Sequence, residues 1–513
     1  MRPSRLALIV SALLAAAACS GSSTTGSSAP RTSTKSTIVV GVTQEPTTLD
    51  VTAQATAAIA EDLRDNVYEG LVRTDPTGKV VPQLAKSWDI SSDGRVFTFH
   101  LVTARFHDGA AFTAEDVKFS YDRARDTATV PANPHADYWA PVQSVDVVDD
   151  HTVKVTLKQF SDGFLFHMGQ GSGSIVPKST RLATTSPPAT GLATNPVGTG
   201  PFKFVSWNRG DSLTLVRNDD YWGPRAPLQK VVFKYITDPN AMNNALLAGD
   251  IDVVSGVTGP EQLGSFASNA AFKVLEGRPT GKIMVAMNNA AGPTKDVRVR
   301  QAISYAIDRK AFIDGIEQGH AVPIGSHAVP NDSEPYYTDL TGVYKQDKQK
   351  ARQLLADAGY AGGLTLRISL IPFAYARRGG DILASQLQDV GIKLQVQNVE
   401  FPLWLDQVFT RHNYDLTIIN HVEPRDIGNY GNPRYYWGYD SAQVAALLKQ
   451  ADAEQDARKR NDLYGQVERQ LTNDAVNAWL MSPNSLAVIK STLHGYPQSR
   501  VAASIYLGAA YFS

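Results

Sequence analysis

The chain holds one cysteine, Cys19, among 513 residues, so no disulfide can form within it and no thiolate-rich metal cluster is available. Long apolar runs are also missing. The stretch Leu6 to Ala18 is too short to cross a hydrocarbon core comfortably, and no later stretch reaches the roughly 18 apolar residues that a membrane-spanning helix needs. Neither sign of charge is in excess: 49 Lys and Arg stand against 50 Asp and Glu, a balance that argues against nucleic acid as a partner. Catalytic signatures are absent too, with no Gly-x-Ser-x-Gly elbow, no His-Glu-x-x-His zinc motif and no Gly-x-x-x-x-Gly-Lys phosphate loop. The ten histidines are scattered, and a metal-ligating set would require His320 and His327, or His412 and His421, to meet on folding. The reading is of a chain that is not an enzyme and carries no metal or other cofactor.

What is present points to a folded, exported protein. A hydrophobic fraction of 43% with 19% charged residues is that of a packed globular chain rather than a solvated one. Its length exceeds what one hydrophobic core sustains, so two or more lobes with a cleft between them are expected. Arg2 and Arg5 precede the apolar run, which ends in Ala16-Ala17-Ala18; this is the layout of a secretory leader, residues 1–18. Cys19 follows immediately and is followed by Ser20-Gly21-Ser22-Ser23, an arrangement that resembles a bacterial lipoprotein box, although Ala16 stands where leucine is usual. Residues 19–36, rich in Ser, Thr and Gly, read as a flexible tether behind an acylated Cys19.

Periodicity in the body alternates between strands and helices. Ile38 to Val42 and Val96 to Leu101 read as strands, and Val145 to Val148 with Thr152 to Lys158 as a hairpin around Asp149-Asp150. Thr113 is placed as an N-cap with Asp116 at N3, and Lys348 to Ala358 reads as a helix stopped by Gly359. The segment Asp381 to Val390 reads as a helix feeding, through Gly391, the strand Ile392 to Val399. Ser179 to Pro196 is the clearest internal loop.

Several segments, in this order along the chain, resemble the family 5 extracellular solute-binding proteins, the peptide- and nickel-binding group that serves ABC importers. They are YEGLVRTDPTGKVVPQLAKSW (Tyr68 to Trp88), FHDGAAFTAEDVKFSYDRARD (Phe106 to Asp126), PVGTGPFKFVSW (Pro196 to Trp207), RNDDYWG (Arg217 to Gly223), LLAGDIDVV (Leu246 to Val254) and DVRVRQAISYAIDR (Asp296 to Arg309). Their physical content is mostly structural. Gly198, Gly200 and Pro201 form a turn that larger side chains would obstruct. Val299, Ala302, Ile303, Ala306 and Ile307 make an apolar helical stripe, with Arg298, Arg300, Asp308 and Arg309 on wetter faces.

The resemblance implies a two-lobed α/β fold of the periplasmic-binding-protein type with an extra subdomain and a ligand cleft between lobes. The first lobe would run over 37–290 with the subdomain inserted at about 80–190, the second lobe over 291–479, and 480–513 would return to the first. It further implies a monomeric lipoprotein on the outer face of the cell membrane that hands a small ligand, an oligopeptide or dipeptide first of all, to ABC permease subunits. A sugar, opine, nickel chelate or haem-like ligand, or a sensory or surface-interaction role, are the alternatives.

The resemblance also directs attention to particular side chains. Arg377 and Arg378 stand where some peptide-binding relatives present an arginine to a ligand carboxylate; the bland reading is two exposed arginines at a helix start. Relatives that bind peptides often carry a Trp-x-x-Asp-like segment after an Asp-Leu strand, the acid meeting the ligand amine. Here Asp415-Leu416 leads to His421-Val422-Glu423-Pro424-Arg425-Asp426, so His421 replaces the tryptophan and Glu423 or Asp426 must supply the acid. The dense aromatics that follow, Tyr430, Tyr435, Tyr436 and Trp437, read either as a sequence-tolerant ligand wall or as lobe core.

Overall fold

The computed structural model describes residues 35–52, 57–126, 136–180, 191–257, 260–279, 281–501 and 504–513. The expected leader, Cys19, most of the expected tether and the middle of the Ser179–Pro196 loop lie outside the described residues. Among the described residues, no helix is long and apolar enough to cross a membrane.

One 12-stranded sheet runs through the molecule. At one end, Thr37–Val42 lies between Lys230–Tyr235 and Val253–Val254, parallel to both. Ile38, Val40 and Val42 are fully buried there with Leu213, Leu215, Val231 and Phe233. At the other end, Leu364–Leu370 pairs in parallel with Ile392–Asn398 and Leu416–His421, and a second, larger core gathers between 283 and 481. A separate antiparallel sheet of four strands, Ala85–Ile90, Val96–Leu101, Thr152–Leu157 and Val142–Asp149, carries its own core. The hairpin alternation is visible in it: Val153, Val155 and Leu157 are buried while Thr152, Lys154 and Thr156 are half-buried.

The two ends are joined by strands whose pairing changes partway. Asn477–Lys490 pairs through Asn477–Met481 with Lys282–Met287 in the second lobe, and through Val488 and Ile489 with Val253–Val254 in the first. Phe272–Pro279 runs beside its second half. Pro483, Asn484 and Ser485 are half-buried between two fully buried stretches of the long strand, and the partner strand carries an irregularity between Gly277 and Pro279, the latter facing Asn484. Prolines and a bulge at one level weaken the ladder where the lobes part.

Helix ends follow their local chemistry. The Thr113 N–H donates to Asp116 Oδ2 at 2.8 Å at the start of Ala114–Arg125. The helix Lys348–Asp357 is followed by Gly359 at φ 91°. A Cβ at Gly198 would sit 2.0 Å from the Val67 carbonyl oxygen, which is why the turn there excludes larger side chains. One expectation fails: Arg300 does not face water. It is buried and donates to the carbonyls of Thr294, Lys295, Asp474 and Ala475, satisfying chain ends that would otherwise be orphaned. The helix Val297–Ala306 also stops before Ile307, and Asp308 caps a new helix, Arg309–Glu317.

Candidate ligand site at the lobe interface

The strand Leu416–His421 pairs with Lys282–Met287, placing Lys282 opposite His421. Beyond it the chain turns at Arg425, whose φ of 62° is left-handed, at a cost of about 1–2 kcal/mol for a residue with a Cβ. Hydrogen bonds offset that cost: the Arg425 N–H donates to Glu334 Oε1 and its Nε to the Ser333 carbonyl, both at 2.8 Å. The turn sends Asp426 inward and leaves Glu423 exposed.

Asp426 then lies at the centre of a buried polar network. Its Oδ1 is 2.7 Å from Lys282 Nζ and 2.8 Å from His327 Nε2, and its Oδ2 is 3.0 Å from His421 Nδ1. The far nitrogens meet tyrosines, His327 Nδ1 at 2.9 Å from Tyr430 and His421 Nε2 at 2.9 Å from Tyr436. Asn477 donates to the Tyr430 oxygen at 2.8 Å. A single direction satisfies every group: each tyrosine donates to an imidazole, and each imidazole donates to the carboxylate. Lys282 also reaches Glu334 Oε1 at 3.1 Å and the Glu423 carbonyl at 2.8 Å, using all three of its protons.

The electrostatics agree with that direction. Burial by itself would raise the Asp426 carboxyl, but His327, Lys282 and the imidazole hydrogen bonds hold it well below the carboxylate range. Burial pulls His327 below its ordinary value, although Asp426 opposes this. His327, His421 and Asp426 offer three ligand atoms within 4.8 Å of one another. The lysine ammonium already stands at that carboxylate, so the cation position is filled by Lys282 and the trio does not fit a metal ion.

The candidate residues divide sharply. Asp426 and His421 belong to the network, and Tyr430, Tyr436 and Trp437 are buried in the second lobe's core, with the Tyr430 and Trp437 rings stacked at 4.2 Å. Tyr435 is half-buried against Trp437 at 4.3 Å. Arg377 and Arg378 are exposed near the start of Ala374–Gln388, and Arg378 lies 3.2 Å from Glu261. Glu423 and Asp426 line a cavity of about 250 Å³ with Tyr138, His167, Arg425 and Asn429. A neighbouring cavity of about 230 Å³ is bounded by Asp162, Tyr336, Arg425, Asp452 and Tyr464.

Sequence reasoning missed the side chains that span this cleft. Asp162, from the inserted subdomain, accepts from Arg460 at 2.7 Å and lies 3.4 Å from Arg425, both in the second lobe. The two guanidinium groups sit 4.7 Å and 5.7 Å from the ring centres of Phe166 and Phe160. Lys282 was missed as well, and His327 was weighed only as a metal ligand beside His320 rather than as a partner of Asp426 and Tyr430, because nothing local to either marks its distant partner.

Two lobes joined by adjacent strands, facing each other across a cleft lined by both signs of charge, define a periplasmic-binding-protein type of solute binder. The profile of the bacterial extracellular solute-binding proteins, family 5 middle, matches residues 79–439, and the chain belongs to that family. The haem-binding protein A of Haemophilus influenzae is 28% identical over 84% of this chain and 84% of its own. The glutathione-binding protein GsiB of Pectobacterium atrosepticum is 30% identical over 70% of this chain and 68% of its own. Among solved structures, the periplasmic binding protein DppA of Helicobacter pylori in complex with the peptide STSA superposes with a TM-score of 0.78 at 26% identity, covering 93% of this chain and 98% of that one.

Proposed function

We propose that this protein is the substrate-binding lipoprotein of an ABC importer and that it captures peptides in the cleft between the inserted subdomain and the second lobe. The observation that carries the peptide reading is the cleft's charge: Asp162, Glu423 and Asp452 line it together with the Arg425 guanidinium. A free peptide carries an ammonium and a carboxylate, and each is costly to enclose without an opposite charge. The peptide in the H. pylori complex and the glutathione named for GsiB support the same ligand class.

Delivery follows from closure. A ligand that touches both lobes binds the closed form better than the open form, and that differential affinity shifts the population toward the form a permease reads. The weakened ladder around Pro279 and Pro483 is the natural hinge. The division belongs to this reading, with a leader at 1–18, a tether at 19–36, a first lobe from 37 that gives way to the second near 281 rather than 290, because Lys282–Met287 pairs and packs within the second lobe, and a return to the first after 481. So do acylation of Cys19, anchorage to the outer face of the membrane and a monomeric state.

Glu423 is the assigned partner of the ligand amine, since it is exposed in the cavity wall whereas the Asp426 side chain is only 5% exposed. Glu423→Gln is expected to weaken a free-amino peptide about tenfold in isothermal titration and to leave its N-acetylated form nearly unchanged; equal losses would remove the assignment. The name of the H. influenzae relative motivates a second reading, haem, for which His167 in the cavity wall is the chemically suited ligand. A Soret-band shift on adding haemin to the wild type, abolished in His167→Ala, would favour it over peptide.

A further inference from the structure

Three cavities adjoin along the face that the second lobe turns toward the inserted subdomain, and Gly428 lines all three. The cavity of about 250 Å³ around Glu423 shares Pro141, Ser161, His167 and Arg425 with the one of about 230 Å³. That one in turn shares Gln159, Phe160 and Asp452 with an outer cavity of about 830 Å³, which opens beside Asp93 and Arg95 and the helix Ala442–Ala453. Each inner cavity falls below the roughly 300–1,000 Å³ of sites that enclose drug-sized ligands. An extended chain of about four residues spans about 13 Å at 3.3–3.6 Å per residue, so it must leave the inner cavities and pass Gly428.

Nothing in the backbone demands glycine at this point. Gly428 lies in the short 3₁₀ segment Asp426–Gly431, and its φ is not among the left-handed ones. Packing does not demand it either. A Cβ at Gly428 would meet no atom within 4 Å, whereas the neighbouring Ile427 and Tyr430 are buried. The missing side chain therefore preserves space in the cleft rather than the turn or the core.

We propose that Gly428 is a size-selecting residue that keeps the inner and outer cavities continuous, and that the ligand class is the extended oligopeptide of about four or more residues rather than the dipeptide. This rests on the peptide reading above. An amine held near Glu423 sends the rest of such a chain across Gly428 toward the outer cavity, where Lys158, Lys449 and Arg95 stand beside Asp93 and Asp452.

The test uses the wild type, Gly428→Ala and Gly428→Leu, each stripped of co-purifying ligand and offered a synthetic random mixture of peptides of about two to six residues. Retained peptides are identified by mass spectrometry, and thermal unfolding checks that each variant is folded. The expected result is that the wild type retains peptides of about four or more residues in preference to shorter ones, that Leu lowers their retention at least about tenfold while leaving the weaker retention of dipeptides unchanged, and that Ala falls between. Equal loss at every length, or no change with Leu, overturns the gate and leaves the peptide reading standing. A wild type that retains no peptide of any length overturns both.

Discussion

Asp162 offers the clearest handle on closure. It is held by Arg460 at 2.7 Å and Arg425 at 3.4 Å, and the three side chains are 23%, 12% and 18% exposed. Both arginines are fixed by their own lobe, Arg425 through Ser333 and Glu334 and Arg460 through the carbonyls of Glu454 and Gln455, so what depends on the subdomain is the Asp162 ion pair and the Phe166 and Phe160 rings beside the guanidinium groups. A charge-assisted hydrogen bond contributes about 1.5–3 kcal/mol and an exposed ion pair about 0–1. Partial exposure places this clasp between them, at roughly 1–3 kcal/mol in all. Asp162→Asn keeps the shape and removes the charge, and the closed-to-open ratio should fall by about 5- to 150-fold. Ligand affinity should fall by as much as that wherever the closed form ceases to dominate. The assay is resonance energy transfer between dyes on the subdomain and the second lobe, with and without peptide, across a salt series. Wild-type closure should weaken as salt rises, and the variant should be less closed and less responsive to salt. An unchanged closed population and an unchanged salt response would refute the reasoning.

Two further predictions concern buried ionisable groups. Lys282→Met leaves Asp426 and Glu334 without their cation in a site where all three side chains are 5% exposed or less, so urea denaturation should show a loss of about 3–5 kcal/mol; wild-type stability would contradict the network. Glu468, pushed up from 4.5 to about 8 by burial and then by Glu334, keeps a proton in the folded state that the unfolded chain releases. Stability from this group is present below about 4.5 and is lost progressively as pH rises toward about 8. Glu468→Gln should flatten the thermal midpoint against pH over that window. Burial raises Glu69 to about 7, so the difference between wild type and variant is cleanest between about 7 and 8. Matching slopes there would count against a protonated Glu468.

Much of the framework can be read from local patterns. The alternation at Val153, Val155 and Leu157, the Thr113–Asp116 cap and the close backbone at Gly198 each depend on neighbours in sequence or on one short contact. The network around Asp426 depends on residues far apart in the chain: Lys282, the connection after Pro323 that carries both His327 and Glu334, and Asn477 arrive from three separate stretches, and none carries a local mark of its partner in the network. The choice between Glu423 and Asp426 could not be made from composition, because it turns on one left-handed residue, Arg425. Arg300 shows the converse error. A helical wheel places it among charged neighbours, whereas four carbonyls from other segments draw it inside. Asp162 is similarly silent in sequence, since its role exists only when the two lobes face each other.

The claim that peptide is the cargo is tested most directly by native mass spectrometry of the gently purified protein beginning at the tether, followed by extraction and sequencing of whatever accompanies it. Peptides of about four or more residues at the observed mass offset are the predicted result. A haem, sugar, opine or metal chelate at that offset would contradict it.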